Sequence, residues 1–129
     1  MRYSLSIFAS LFVLCSFVSA AEHTKDTPAV VQKNLKADEA VLVDVREVEE
    51  WNEGHLAEAM LWQLSDINDG PSADDLKKQF GDNKIVYLHC RAGTRALYAA
   101  DKLKDKGYDI RPLKQGYAEL LKAGFKKAD

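Results

Sequence analysis

Ala40-Val41-Leu42-Val43 runs without a polar residue until Asp44, and Ile85-Val86-Tyr87-Leu88 repeats the pattern further along the chain. A strand with one wet face alternates apolar and polar side chains; these runs do not alternate. Each predicts a strand buried on both faces, as in a parallel sheet covered by helices. A parallel sheet asks for crossover segments between the strands.

Those segments can be found. Thr27-Pro28 reads as a helix start, with Thr27 as cap and Pro28 in the first turn, followed by an apolar stripe of Val30, Val31 and Leu35. Glu47 to Asn52 predicts a short helix, broken at Gly54-His55. Ala59 to Trp62 is a second short strand, and Asp69-Gly70-Pro71 a turn. Ser72 with Asp75 three residues on opens a helix carrying Leu76 and Phe80, which ends at 81–83. After the Lys84–His89 strand, a helix is expected from Gly93 to about Lys106, with Ala96, Ala100 and Leu103 on one face and Gly107 as its stop. Tyr108 to Arg111 is a last strand, and Gly116 to Lys122 a last helix. Strands alternating with helices predict an α/β domain with right-handed crossovers.

The first twenty residues differ from the rest. Arg2 is their only charge, an apolar stretch runs from about Leu5 to Val18, and Val18-Ser19-Ala20 offers small residues to a peptidase. This is the pattern of a secretory signal over residues 1–20, too short and too dotted with serine to span a bilayer, which takes about 20 apolar residues. Cys15 follows Leu14 rather than the small residue of a lipoprotein signal, so lipidation is not expected. Cleavage after Ala20 would leave a single domain over residues 21–129. It would carry 17 basic and 20 acidic residues, a net charge of −3, which argues against general affinity for nucleic acid or anionic membranes. The mature chain would keep one cysteine, Cys90. No internal disulfide and no cysteine-based zinc site could then form, and the three histidines lack metal spacing.

Cys90 falls past the carboxyl end of a predicted strand, where parallel sheets bind ligands, and just before a helix, whose N-terminus favours an anion. A thiolate is such an anion. Arg91 and Arg95 add positive charge, and Gly93 allows a tight loop with N–H groups turned inward. The residues thus predict a nucleophilic thiolate facing an anionic substrate, without choosing that substrate. A buried apolar cysteine would account for Cys90 alone and leave the cluster unexplained.

Cys90-Arg91-Ala92-Gly93-Thr94-Arg95 resembles the active-site loop of the rhodanese family of sulfurtransferases. Asp44-Val45-Arg46-Glu47, Trp51, Gly54-His55-Leu56 and Ala59 are similar to that family's first signature, and Leu113 to Gly124 to its ending. The sequence departs at Glu58, where the signature has glycine, at Gln115, where the ending has its first glycine, and at Leu120, where it has tryptophan. The resemblance is to small exported single-domain members. It implies a three-layer domain with a five-stranded parallel sheet flanked by helices, and a location in the bacterial periplasm.

Loop length then separates two chemistries. Cys90 to Arg95 is C-x4-R; protein phosphatases with a cysteine nucleophile use a loop one residue longer. The shorter loop suits a sulfane sulfur. The expected reaction attacks thiosulfate or a similar donor, stores a persulfide on Cys90 under the N–H groups of residues 91–95, and passes the sulfur to cyanide or a thiol. It calls for no metal and no organic cofactor. Two alternatives are a sulfur carrier that loads Cys90 for a partner protein, and a phosphatase or arsenate reductase on the same scaffold.

Arg91 is expected to bind the donor's sulfonate. Arg95 either binds substrate, as the resemblance allows for Ala92, Gly93 and Thr94 too, or closes the loop through an ion pair. Asp44 and Arg46 lie at a strand's carboxyl end, and the resemblance implies that they brace the edge of the site. His55 reads as a structural hydrogen-bonding residue. His89 adjoins Cys90, but alternation aims it at the other face of the sheet.

Overall fold

The computed structural model describes residues 9–15, 19–82 and 84–129. Most of the predicted leader lies outside the described residues, as does Asn83. Of the leader's apolar stretch, Leu11 to Leu14 are exposed. No helix among the described residues is long and apolar enough to cross a membrane.

Six helices and four strands alternate along the described chain. They are α1 (Pro28–Lys36), β1 (Ala40–Asp44), α2 (Val48–Glu53), β2 (Ala59–Leu61), α3 (Leu64–Ile67), α4 (Ala73–Phe80), β3 (Ile85–His89), α5 (Thr94–Leu103), β4 (Asp109–Pro112) and α6 (Tyr117–Lys122). The strands form one parallel sheet in the order β2-β1-β3-β4. This is the predicted α/β architecture with four strands where the resemblance implied five. A place for another strand exists beside β4, where the chain before α1 passes. Among the described residues only Thr24 joins it by a backbone bond, to the Pro112 carbonyl at 2.8 Å; the amide of Ala21 goes to the Asp101 side chain instead. An isolated antiparallel bridge, Leu56 with Lys127, ties the chain's end to the turn before β2.

The two uninterrupted apolar runs feed two cores. Val43 and Val45 from the β1 side and Val86 and Leu88 from β3 pack with Ile67, Leu76, Phe80, Ala96 and Leu103 of α3, α4 and α5. Ala40, Leu42 and Tyr87 face the other way, onto Val31 of α1, Leu56, and Leu120 of α6. The helices thus cover both faces, which is why neither run alternates. Burying a side chain of the size of Leu88 or Leu120 contributes roughly 1.5–3 kcal/mol.

Helix ends follow local chemistry. The Thr27 hydroxyl accepts the Val30 amide, and Ser72 and Asp75 exchange both bonds of a capping box. Glu47 and Glu50 do the same for α2. Two details depart from expectation. The one-turn helix α3 has too few residues to show periodicity. The helix after Gly93 stops at Leu103, not Lys106, because Lys104 is already extended and Asp105 takes φ 62°.

Candidate active site

The carboxyl ends of β1 and β3 lie side by side, with Asp44 in register with His89. The chain leaves β3 at His89, turns through residues 90–93, and enters α5 at Thr94. Gly93 makes that turn with φ 89°, a left-handed conformation that glycine adopts at no steric cost. A side chain there would also press on the Lys114 carbonyl, 2.9 Å from an added Cβ.

Cys90 sits at the floor of this turn with 1% of its surface exposed. The Gly93 N–H donates to its Sγ at 3.1 Å. No acidic residue stands in the first turn of α5, and the N-terminus of a helix, with its unpaired N–H groups, favours an anion. By the partition of the two cores, Cys90 belongs to the α5 face.

The loop is braced from outside by α6. The Tyr117 N–H donates to the Cys90 carbonyl at 2.9 Å. Gly116 comes so close that an added Cβ would stand 1.7 Å from the Arg91 carbonyl oxygen. No side chain fits there, whatever the backbone angles. The sequence puts Gly116 at the start of a helix and within the Leu113–Gly124 ending that resembles the family's, but does not reveal this contact, which joins segments far apart in the chain.

The two loop arginines behave differently. Arg95 forms a forked pair with Glu50 of α2, at 2.5 and 2.9 Å. Arg91 is 68% exposed and approaches the same carboxylate at 3.4 Å. Two guanidinium groups thus share one carboxylate, and the rim keeps a net positive charge. The hydrogen bond from Arg95 is the main reason the Glu50 carboxyl is held down to about 2. Of the two roles foreseen for Arg95, the geometry shows the ion pair. Its partner Glu50 was missed, since nothing in the sequence pairs residues so far apart. Ala92 and Thr94 are exposed on the loop.

Asp44 and Arg46 are buried behind the loop. Asp44 accepts the Arg46 backbone N–H at 2.9 Å and its Nε and terminal nitrogen at 3.0 and 2.8 Å. Arg46 also donates to the Gly54 carbonyl at 2.7 Å and lies 4.4 Å from the centre of the Tyr117 ring. It therefore ties β1 to the turn after α2 and to α6. His55 bonds the Trp51 carbonyl through Nδ1 at 3.0 Å and stacks on the Trp51 ring at 3.6 Å. His89 is fully buried, and neither ring nitrogen has a partner. Burial, which favours the neutral imidazole, pushes its pKa down against the pull of Asp44 at 3.7 Å.

Of the departures from the signature, Leu120 is a wholly buried core residue on the far face, while Gln115 is half-buried beside Gly116 and Glu58 is exposed. A cleft of about 440 Å³ opens next to the loop, lined among others by Arg46, Glu50, Gly54, Arg91, Tyr117 and Leu121.

The rhodanese-like domain family matches residues 27–123. The chain belongs to that family. Two curated relatives are each 30% identical to it. One is an uncharacterized protein, YqhL of Bacillus subtilis, aligned over 95% of this chain and 88% of its own. The other is an HTH-type transcriptional regulator, Rv0324 of Mycobacterium tuberculosis, aligned over 91% of this chain. The chain spans half the length of that regulator. Among solved structures, protein hp1203 of Helicobacter pylori is 37% identical with a TM-score of 0.57, covering 70% of this chain and 79% of its own. The human single-domain sulfurtransferase TSTD1 shares the fold, with a TM-score of 0.57 at 23% identity over 71% of this chain and 89% of its own. Family and fold are thus those of a rhodanese-like domain.

Proposed function

We propose that the chain is a sulfurtransferase that takes a sulfane sulfur from thiosulfate or a similar donor onto Cys90 and hands it to cyanide or a thiol. One observation carries this reading: the Gly93 N–H donates to Cys90 Sγ at 3.1 Å inside a C-x4-R loop at a helix start. That arrangement stabilises negative charge on a sulfur at this point.

In the first half-reaction the Cys90 thiolate attacks the outer sulfur of thiosulfate. The Sγ–S bond forms, the donor's S–S bond breaks, and sulfite leaves with the electron pair. In the second, cyanide or a thiolate attacks the outer sulfur of the persulfide, and the Cys90 thiolate leaves. Attacking and leaving groups are anions at each step and no proton is transferred, so no general base is called for. The exposed Arg91 guanidinium faces an incoming anion, and Arg95, tied to Glu50, fixes the shape of the loop. Burial of Cys90 shields the persulfide from bulk solvent and stray reactants.

Export to the bacterial periplasm belongs to the same proposal. It is supported by the leader pattern and by where packing begins: Leu14 and Ala20 are exposed, whereas Ala21 packs against the core beside α5.

Steady-state kinetics test the reading. Thiocyanate formation with parallel double-reciprocal lines for thiosulfate and cyanide is expected, with no hydrolysis of an aryl phosphate. Phosphate release that Cys90→Ser abolishes, without sulfur transfer, would overturn it. Loading of Cys90 without turnover of either acceptor would point to a carrier.

A further inference from the structure

His23 stands in a polar lead-in that the sequence left without a role, yet it reaches the centre of the site. Its Nε2 lies 2.9 Å from the Gly93 carbonyl oxygen, the carbonyl of the residue whose N–H holds Cys90 Sγ. An imidazole nitrogen facing a carbonyl must carry the proton, so Nε2 donates. Gly93 C=O and Thr94 N–H belong to one peptide group. A hydrogen bond on the oxygen polarises that group and makes the Thr94 N–H, at the entrance of α5, a stronger donor, while fixing the orientation of the residue whose own N–H holds the sulfur.

The chain that delivers His23 is fastened at several points. Thr24 bonds the Pro112 carbonyl at 2.8 Å. Asp26 accepts from the Tyr87 hydroxyl at 2.6 Å and from Arg111 at 2.8 Å. At the outer end the Ala21 backbone nitrogen donates to Asp101 of α5 at 2.7 Å. Ala21 is the residue that cleavage after Ala20 would make the first of the mature chain. Asp101 is the carboxylate beside it, with Lys104 on its other side at 3.2 Å. Lys104 also donates to the Ser19 carbonyl, a contact that cleavage would remove.

We propose that His23 is a positioning residue for the Cys90 loop, and that its strap is anchored by the α-ammonium of a processed N-terminus at Ala21 seated on Asp101. The inference rests on the sulfurtransferase reading and on cleavage after Ala20. Processing would turn a neutral amide-to-carboxylate bond into an ion pair on the same partner. The amino end of the mature chain thereby becomes part of the support of its active loop.

The full chain, expressed with its leader in a bacterium that exports it, supplies the test. The intact mass of the purified protein is expected to begin at Ala21; any other start overturns the anchor. Single-turnover loading of Cys90 from thiosulfate is then timed in wild type, His23→Ala, His23→Gln and Asp101→Asn. We expect His23→Ala to load about three- to tenfold more slowly, the size of one lost hydrogen bond. His23→Gln, whose amide can donate to the same carbonyl, should recover most of that rate. Asp101→Asn should fall between wild type and His23→Ala. Loading at the wild-type rate in His23→Ala, or no rescue by His23→Gln, overturns the positioning role. A wild-type rate in Asp101→Asn overturns the anchor. If wild type takes up no sulfur, the sulfurtransferase reading fails on its own. The rate of Cys90 alkylation by iodoacetate in the same four proteins, with the same ranking expected, then decides the His23 claim.

Discussion

Asp44–Arg46 and Glu50–Arg95 are both forked arginine–carboxylate pairs, and both stand beside the Cys90 loop. The side chains of the first are 0% and 4% exposed; those of the second are 20% and 30% exposed. The first spends its remaining donor on the Gly54 carbonyl and its flat face on Tyr117. The second has water on one side and a third charge, Arg91, on the other. A buried pair is costly to assemble and costlier to break, because removing one partner strands the other charge. A rim pair contributes little to stability. What the rim pair can do is fix the shape and charge of the loop that meets an anionic donor. The inner pair is architecture, and the rim pair is tuning.

The sharpest way to break this division is to push on the inner side. Gly116→Ala forces a Cβ against the Arg91 carbonyl, which backbone must move to relieve. We expect a loss of about 5 kcal/mol or more in urea unfolding, at the extreme of what single substitutions do. Asp44→Ala comes next. It leaves the Arg46 guanidinium buried without its carboxylate and should cost about 3–5 kcal/mol by the same measurement. If Asp44→Ala unfolds like wild type, the pair is not architectural.

The rim should answer differently. Arg95→Ala is expected to cost only about 0.2–1 kcal/mol in stability while slowing the loading of Cys90 from thiosulfate; unchanged loading would remove Arg95 from the account. The smallest effect is a pH dependence. Arg95 holds the folded Glu50 carboxyl at about 2, below its usual range, so the unfolded chain binds the proton more readily. The stabilising effect of Glu50 is present above about pH 4 and fades as pH falls toward 2. The stability difference between wild type and Glu50→Gln should therefore shrink over that interval, and a difference that is flat with pH would contradict the pairing.

The same division marks what could be read from the sequence. The inner architecture was legible, because Ala40–Asp44 and Ile85–His89 advertise their burial by the absence of alternation, and Ser72 and Asp75 advertise a cap. Cys90, Gly93 and the arginines were legible as a cluster because they are neighbours in the chain. The rest depends on contacts between distant segments. Glu50 on Arg95, Gly116 on the Arg91 carbonyl and His23 on the Gly93 carbonyl leave no local trace. The one-turn helix α3 is too short to have a period, and the strand the resemblance implied in addition is absent among the described residues, where the lead-in makes only one ladder-like bond beside β4. Local pattern reveals elements and the nucleophile; it does not reveal what steadies the loop.

The central claim is that Cys90 stores a sulfur atom. Intact mass spectrometry before and after incubation with thiosulfate measures this directly in wild type and Cys90→Ser. The account predicts a gain of one sulfur atom on wild type, its loss on adding cyanide, and no gain in Cys90→Ser. A wild-type protein that stays unmodified with thiosulfate and with other sulfane donors would contradict it.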